Sequence, residues 1–276
     1  MDLASVIERD VTAALAEDVG SGDPSALLLP EQKTARAVVV CRQDAVICGQ
    51  AWFEACIRRL DAQGAVTWLV AEGARVTRGA RVCEIQGKAR ALLTAERTAL
   101  NFLQTLSAVA TAARRHVDAA AGTRAKIVDT RKTLPGLRYA QKYAVRTGGA
   151  ANHRMGLYDA MLIKENHIAA AGGIRQAIEQ ARKLARPEIW MQVEVENLSQ
   201  LRQALDAGAT MILLDNMSPE QMREAVKIAG DRAELEASGG ITLDNIRAVA
   251  ETGVHRISIG SLTKDVKAVD FSLRFE

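Results

Sequence analysis

Residues Ile189–Asp215 read IWMQVEVENLSQLRQALDAGATMILLD. An apolar run, Ile189–Val195, ends in Glu196. A helical stretch, Leu198–Ala207, comes next, and a second apolar run, Met211–Leu214, ends in Asp215. Short apolar runs joined by an amphipathic segment of helix length predict parallel strands with a crossover helix. The pattern repeats outward in both directions. Ala125–Val128 and Ala160–Ile163 precede this unit, and Ala233–Ala237 and Arg256–Ile259 come after it. Helices are expected at Ile174–Leu184, Pro219–Ile228 and Leu243–Thr252. Strands alternating with helices predict a parallel sheet, open or closed into a barrel.

Upstream the character differs. Leu3, Val6, Ile7, Val11, Ala14 and Leu15 recur at helical spacing, which predicts a helix over residues 3–18. Ala35–Cys41, Ala45–Cys48 and Ala65–Val70 read as short strands, with a helix at Ala51–Leu60. Glu72–Ile85 alternates around paired glycines as a turn-rich β segment. A long helix is expected from Thr94 to about Ala121, ended by Gly122. Residues 1–115 thus form a small α+β domain and residues 116–276 the strand–helix domain, with the last residues free to pack back on the first. Two domains suit a chain of 276 residues.

Composition narrows the function. Hydrophobic residues make up 48% and charged residues 25%, which is ordinary globular usage and excludes a disordered chain. The net charge of +3 and the 4% aromatic content argue against a nucleic-acid partner. No apolar run reaches the roughly 20 residues of a membrane span, and the first residues lack a basic stretch before an apolar core. Cys41, Cys48, Cys56 and Cys83 form no CxxC pair, so reduced core thiols in a cytoplasmic protein are expected.

Each of the six runs ends in polar or glycine residues. Val128 precedes Asp129-Thr130-Arg131-Lys132, Ile163 precedes Lys164, and Val195 and Leu214 precede Glu196 and Asp215. Ala237 precedes Ser238-Gly239-Gly240, and Ile259 precedes Gly260-Ser261. Parallel α/β barrels place their chemistry at these C-terminal strand ends. From Lys126 to His167 eight basic residues face three acidic ones, an excess larger than that of the whole chain. Arginine forks and lysine point charges gathered this way suit a polyanion. Arg138, Lys142 and Arg146, at i, i+4 and i+8, suit a solvated or partner-facing helix stripe as well as a ligand role. The two final glycine-containing loops suit a phosphate cradle, since glycine lets backbone N–H groups approach an anion. Glu194 and Glu196 lie two apart on one strand and face the same side, as Asp215 would. Carboxylates there can hold a hydrated Mg²⁺ on a diphosphate or stabilise a cationic transition state. Lys164 could also serve Schiff-base chemistry, but the number of neighbouring cations fits an anionic substrate better.

The motifs themselves are recognisable. They include Asp129–Arg138 (DTRKTLPGLR), Lys142–Val145 (KYAV), Gly148–Leu157 (GGAANHRMGL) and Leu162–His167 (LIKENH). Val193–Glu196 (VEVE), Leu213–Asn216 (LLDN), Glu236–Ile241 (EASGGI) and Leu262-Thr263 lie downstream, with Glu17–Asp23 (EDVGSGD) and Ala95–Asn101 (AERTALN) upstream. Together they closely resemble the quinolinate phosphoribosyltransferase (nicotinate-nucleotide pyrophosphorylase, carboxylating) family over nearly the whole chain.

The resemblance implies an α/β fold with an N-terminal α/β sandwich and an incomplete parallel α/β barrel. It also implies a cytoplasmic homodimer with shared active sites, higher assembly being left open. The implied reaction joins quinolinate to 5-phosphoribosyl 1-diphosphate, with Mg²⁺, giving nicotinate mononucleotide, diphosphate and CO₂ in de novo NAD biosynthesis. By motif, Arg131, His153, Arg154 and Lys164 would bind the quinolinate carboxylates, and Arg97 would reach in from the neighbouring subunit. Lys132, Glu196 and Asp215 would be the catalytic residues, the two carboxylates contacting the ribose and Mg²⁺-diphosphate. Ser238, Gly239, Gly240 and Gly260 would hold the 5′-phosphate. Lys264 stands where the family often has histidine, and the part played by Glu194 stays open. Two other readings share these features: a paralogous phosphoribosyltransferase-like protein of the molybdenum-uptake-associated type, acting on another anion, and a non-catalytic phospholigand-binding barrel.

Overall fold

The computed structural model describes residues 2–186 and 188–276. Its contacts divide the chain into two units. One comprises Met1–Arg114, Leu134–Gly149 and Thr263–Glu276, and the other Arg115–Thr133 and Ala150–Leu262.

The elements begin with α1 (Leu3–Val19), β1 (Thr34–Cys41), β2 (Ala45–Val46), α2 (Gln50–Leu60), β3 (Ala65–Trp68), β4 (Arg75–Val76), β5 (Arg81–Lys88) and α3 (Ala89–Ala119). Next come β6 (Lys126–Val128), α4 (Arg138–Thr147), β7 (Ala160–Ile163), α5 (Glu165–Ala171), α6 (Ile174–Leu184) and β8 (Trp190–Val195). The remainder are α7 (Leu198–Asp206), β9 (Met211–Asp215), α8 (Pro219–Ala229), β10 (Glu234–Ser238), α9 (Ile246–Ala250), β11 (Arg256–Ser258), α10 (Ser261–Lys264) and β12 (Phe271–Phe275).

The first unit is built on a four-stranded antiparallel sheet in the order β12-β1-β5-β3. Along β5 the buried Cys83, Ile85 and Gly87 alternate with the exposed Glu84, Gln86 and Lys88, the period-two signature of a sheet with one covered face. Helix α1 starts at an Asp2 cap that accepts the Ser5 N–H at 2.9 Å, and it buries Val6, Val11 and Leu15. Trp52 and Phe53 of α2 are fully buried, and each such side chain contributes about 2–3 kcal/mol. All four cysteines belong to this unit and are free and buried, and burial pushes the Cys56 thiol up to about 12. Helix α4 also packs here, with Tyr143 tilted against Trp52 at 5.3 Å between ring centres. The expected stripe on α4 does not form as a solvated face. Arg146 is exposed and Arg138 half-buried, but Lys142 is wholly buried.

The second unit is a six-stranded, all-parallel sheet in the order β6-β11-β10-β9-β8-β7. Its edge strands β6 and β7 do not pair with each other, so the barrel is incomplete. Fully parallel strands are apolar on both faces, hence the continuous runs. Val193, Ile212, Leu214, Leu235, Ala237 and Ile257 are buried. Helix α6 turns Ile174, Ala177, Ile178 and Ala181 inward. Helix α8 opens with a Ser218–Gln221 capping box and Pro219 in its first turn. The six strands coincide with the six sequence runs to within about two residues. The seven-residue α5, whose side chains are all at least partly exposed, carries no apolar stripe and leaves no periodic signal in the sequence. Among the described residues no helix is long and apolar enough to cross a membrane.

Candidate active site

The C-terminal ends of the second unit's strands carry nearly every candidate residue. Beyond β6, the buried carboxylate of Asp129 accepts the Asn152 amide at 2.6 Å and the His153 N–H at 2.8 Å. Ala151 bridges to Val128, so the segment with Asn152, His153 and Arg154 runs beside β6. Arg131, His153 and Arg154 are all half-buried. Burial, and then the neighbouring Arg131 guanidinium, pull Arg154 below the usual arginine range, while Asp159 and Glu194 act the other way. Two guanidiniums within electrostatic reach in a partly desolvated place disfavour each other's charge, an arrangement that favours a bound anion.

Asp159 shapes the loop below them by accepting the N–H groups of Met155 and Gly156 at 2.7 and 2.9 Å. Lys164 leaves β7 with its ammonium 3.5 Å from Glu194. The Glu194 side chain is only 12% exposed. Burial and then Asp215 hold its carboxyl above the usual range, against the opposing pull of Lys164. Glu196 lies just past the end of β8 and is exposed, its backbone N–H donating to Gln200 at 2.7 Å. Glu194, Glu196 and Gln200 line one cavity of about 130 Å³ together with Glu165, Ile168 and Ala169.

On the neighbouring strands Asp215 accepts the Asn216 amide at 2.8 Å. Asn216 has φ 53°, a left-handed conformation tolerated by asparagine, and its N–H donates to the Ser238 carbonyl at 2.9 Å. Gly239 has φ +96°, and a Cβ there would strike the Asn216 side chain. Gly240 is next, at φ +60°, and completes a loop of exposed backbone. At the end of β11 the Lys132 stem crosses the face of Gly260, where a Cβ would lie 2.9 Å from Lys132 Cδ. Lys132 and Gly260, far apart in sequence, are thus neighbours.

Arg97 belongs to the first unit, exposed on α3. Lys264 is also grouped with that unit, and its ammonium is held by the Asp265 carboxylate at 2.6 Å. Glu194 emerges as a participant that the two-residue spacing alone could not separate from Glu196. Asn216 is legible in the sequence only as part of a motif. The acidic oxygens here are hard donors suited to Mg²⁺, yet among the described residues no group of three His, Cys, Asp or Glu could cage a metal. The donor set fits an ion carried on a diphosphate and touched by one or two carboxylates.

Residues 10–107 match the quinolinate phosphoribosyl transferase N-terminal domain, and residues 109–274 match the C-terminal domain. The chain belongs to the quinolinate phosphoribosyl transferase family. Within that family it is 41% identical to the Bacillus subtilis (strain 168) protein named "Probable nicotinate-nucleotide pyrophosphorylase (carboxylating)", over 93% of this chain and 89% of the other. It is 38% identical to the chloroplastic carboxylating nicotinate-nucleotide pyrophosphorylase of Oryza sativa subsp. japonica, over 100% of this chain and 78% of the other. The structure of the nicotinate-nucleotide pyrophosphorylase from Francisella tularensis superimposes with a TM-score of 0.96 at 44% identity, covering 100% of this chain and 98% of that one. The quinolinate family, with its antiparallel sheet and incomplete parallel barrel, is thus the family of this fold.

Proposed function

We propose that the protein transfers the phosphoribosyl group of 5-phosphoribosyl 1-diphosphate to quinolinate with decarboxylation, yielding nicotinate mononucleotide, diphosphate and CO₂ in de novo NAD biosynthesis. Full-length relatives named for this chemistry support the reading over a paralog with another anionic substrate. The observation within the fold that carries it is the Arg131–Arg154 pair beside Lys164 and Glu194 at one mouth.

Quinolinate presents two carboxylates on adjacent ring carbons. Arg131, Arg154 and Lys164 clasp them, with His153 behind Arg154 and Arg97 supplied by the neighbouring protomer of a homodimer. This grip points the ring nitrogen at the anomeric carbon and replaces an encounter in solution with a fixed approach. Ser238, Gly239, Gly240 and Gly260 offer backbone N–H groups to the 5′-phosphate. Lys132, lying across Gly260, reaches between the two substrates. Mg²⁺ carried on the diphosphate would supply charge neutralisation for the leaving group, and Asp215, Glu194 and Glu196 would contact that ion and the ribose.

The bond from the anomeric carbon to the diphosphate oxygen breaks as the ring nitrogen bonds to that carbon. Carboxylate charge at Glu194, Glu196 and Asp215 stabilises the oxocarbenium-like sugar between the two events. The alkylated nitrogen is then cationic and accepts the electron pair released when the adjacent carboxylate leaves as CO₂, and a proton fills the vacated carbon. The four buried thiols suit a cytoplasmic setting. Purified protein given quinolinate, 5-phosphoribosyl 1-diphosphate and Mg²⁺ is expected to release CO₂ and diphosphate one for one. Release of neither refutes the assignment.

A further inference from the structure

Beneath the mouth a chain of hydrogen bonds runs from the Arg154 backbone down to Glu236. The Arg154 backbone N–H donates to His153 Nδ1 at 2.8 Å. A peptide N–H can only donate, so Nδ1 is the bare nitrogen and the ring proton sits on Nε2. Nε2 lies 3.0 Å from Gln192 Oε1, and Gln192 Nε2 in turn donates to Glu236 Oε2 at 3.1 Å. The same Glu236 oxygen is 3.5 Å from His153 Nε2. Gln192 and Glu236 are each only 1% exposed, and Trp190 stands edge-on to the imidazole at 5.1 Å. Glu236 Oε1 is buried with no hydrogen-bond partner. Burial opposes ionisation of Glu236, yet His153, Gln192 and Ser258 outweigh it and keep the carboxyl below its usual range.

The placement is layered. Gln192 sits two residues before Glu194 on β8, and Glu236 sits two residues before Ser238 on β10. Each therefore faces the same side as a residue of the mouth, one layer lower. Apolar side chains could fill this layer without the desolvation cost of a carboxylate and an amide. An ionised carboxylate differs from every other end group here because it only accepts. It forces Gln192 to aim its NH₂ at Glu236 and hence its oxygen at His153. A neutral amide at position 236 would permit both orientations. In the reversed one Gln192 presents N–H to His153 Nε2, the ring proton moves to Nδ1, and Nδ1 then opposes the Arg154 N–H.

We propose that Glu236, acting through Gln192, is a positioning residue that sets the direction of this chain, locks His153 in its Nε2–H form and thereby anchors the Arg154 backbone for its grip on the substrate carboxylate. The proposal rests on the quinolinate reading for its substrate, but not for the tautomer.

The test uses the full-length protein, whose four histidines make ring ¹⁵N signals assignable. The parent is expected to show His153 as the Nε2–H tautomer, and Glu236→Gln a mixture of tautomers. In kinetics Glu236→Gln should raise the quinolinate KM about tenfold, a size usual for losing a partner that orients a ligating group. Its kcat should stay within about threefold, and the KM for phosphoribosyl diphosphate should not move. Glu236→Asp, still acceptor-only, should recover part of the loss. The double variant Gln192→Met/Glu236→Met removes both partners without placing a donor against Nε2, and should keep near-parental stability yet raise the quinolinate KM because Nε2–H is left without its acceptor. His153 protonated on Nδ1 in the parent overturns the proposal. So does a Glu236→Gln enzyme with unchanged tautomer and quinolinate KM, or one in which both substrates' KM values rise together. A parent inactive on quinolinate would instead overturn the activity reading, leaving the ¹⁵N signals to decide the hydrogen-bond chain.

Discussion

Both units bury carboxylates, and they use them differently. In the first, Asp61 accepts the Lys88 N–H at 2.7 Å and the Gln63 N–H at 3.1 Å, and Glu72 accepts the Gly49 N–H at the start of α2 at 2.9 Å. Asp10 holds the Trp52 indole at 3.1 Å. These groups tie backbone and core together. In the second unit, Asp129 and Glu236 engage the loop of His153 and Arg154, while the charge of Arg131 acts on Arg154 and that of Asp215 on Glu194. Carboxylates serve the backbone and core in one unit, and burial and like-charged neighbours perturb ionisable groups at the mouth of the other. The contrast points to the chemistry, since groups whose ionisation is perturbed by burial and by like-charged neighbours cluster at functional sites.

The contrast can be broken at several points. Chelation should have the largest effect. If Mg²⁺ comes with the substrate, excess chelator abolishes turnover yet leaves the Tm of the ligand-free protein within about 1 °C. A chelator-induced fall in Tm, read by calorimetry, would instead reveal a resident ion. Next, Arg154→Ala should lower kcat/KM for quinolinate by about 10²–10³-fold, roughly 3–4 kcal/mol of lost transition-state stabilisation, without lowering Tm. Gly239→Ala places a Cβ against Asn216 at φ +96°. It should raise the KM for phosphoribosyl diphosphate about 10–50-fold through strain of about 1–3 kcal/mol, with quinolinate binding spared. Asp61→Ala tests the other side of the comparison. It should cost about 1–3 kcal/mol of stability in thermal melts and change kcat/KM by less than about twofold.

The smallest expected effect on stability is at Glu194. Burial holds this carboxyl above its usual range, so ionising it opposes folding. Below the unfolded-state value both states are protonated, and Glu194→Gln should leave the melting temperature where it was. As pH rises through the folded-state value the parent loses stability that the variant keeps. The variant should then melt about 1–2 °C higher at neutral pH, while turning over far more slowly. A parent that is the more stable of the two at neutral pH would show Glu194 to be balanced like the carboxylates of the first unit.

Sequence pattern reaches strands more readily than tertiary partners. The six apolar runs of the parallel sheet are legible because strands covered on both faces leave an unbroken apolar signal. The polar residue that ends each run marks the mouth for the same reason. Lys142 is not legible, because spacing along α4 shows which residues share a face but not what covers it. Period-two logic puts Glu194 and Glu196 on one side, but only the strand end at Val195 separates the half-buried one from the exposed one. His153 reads as a donor among donors, since the partners that engage its ring nitrogens, Gln192 and Glu236, stand on strands β8 and β10 well downstream.

The pairing of the last strand with the first governs how the molecule is made. Strand β12 hydrogen-bonds to β1 along Ala37–Cys41, and α4 lies in the same unit. A nascent chain on the ribosome therefore exposes an edge of its first sheet until β12 has emerged. All six parallel strands emerge before β12 does, so the unit begun first is the one finished last, and its early β strands wait in need of protection from neighbouring chains.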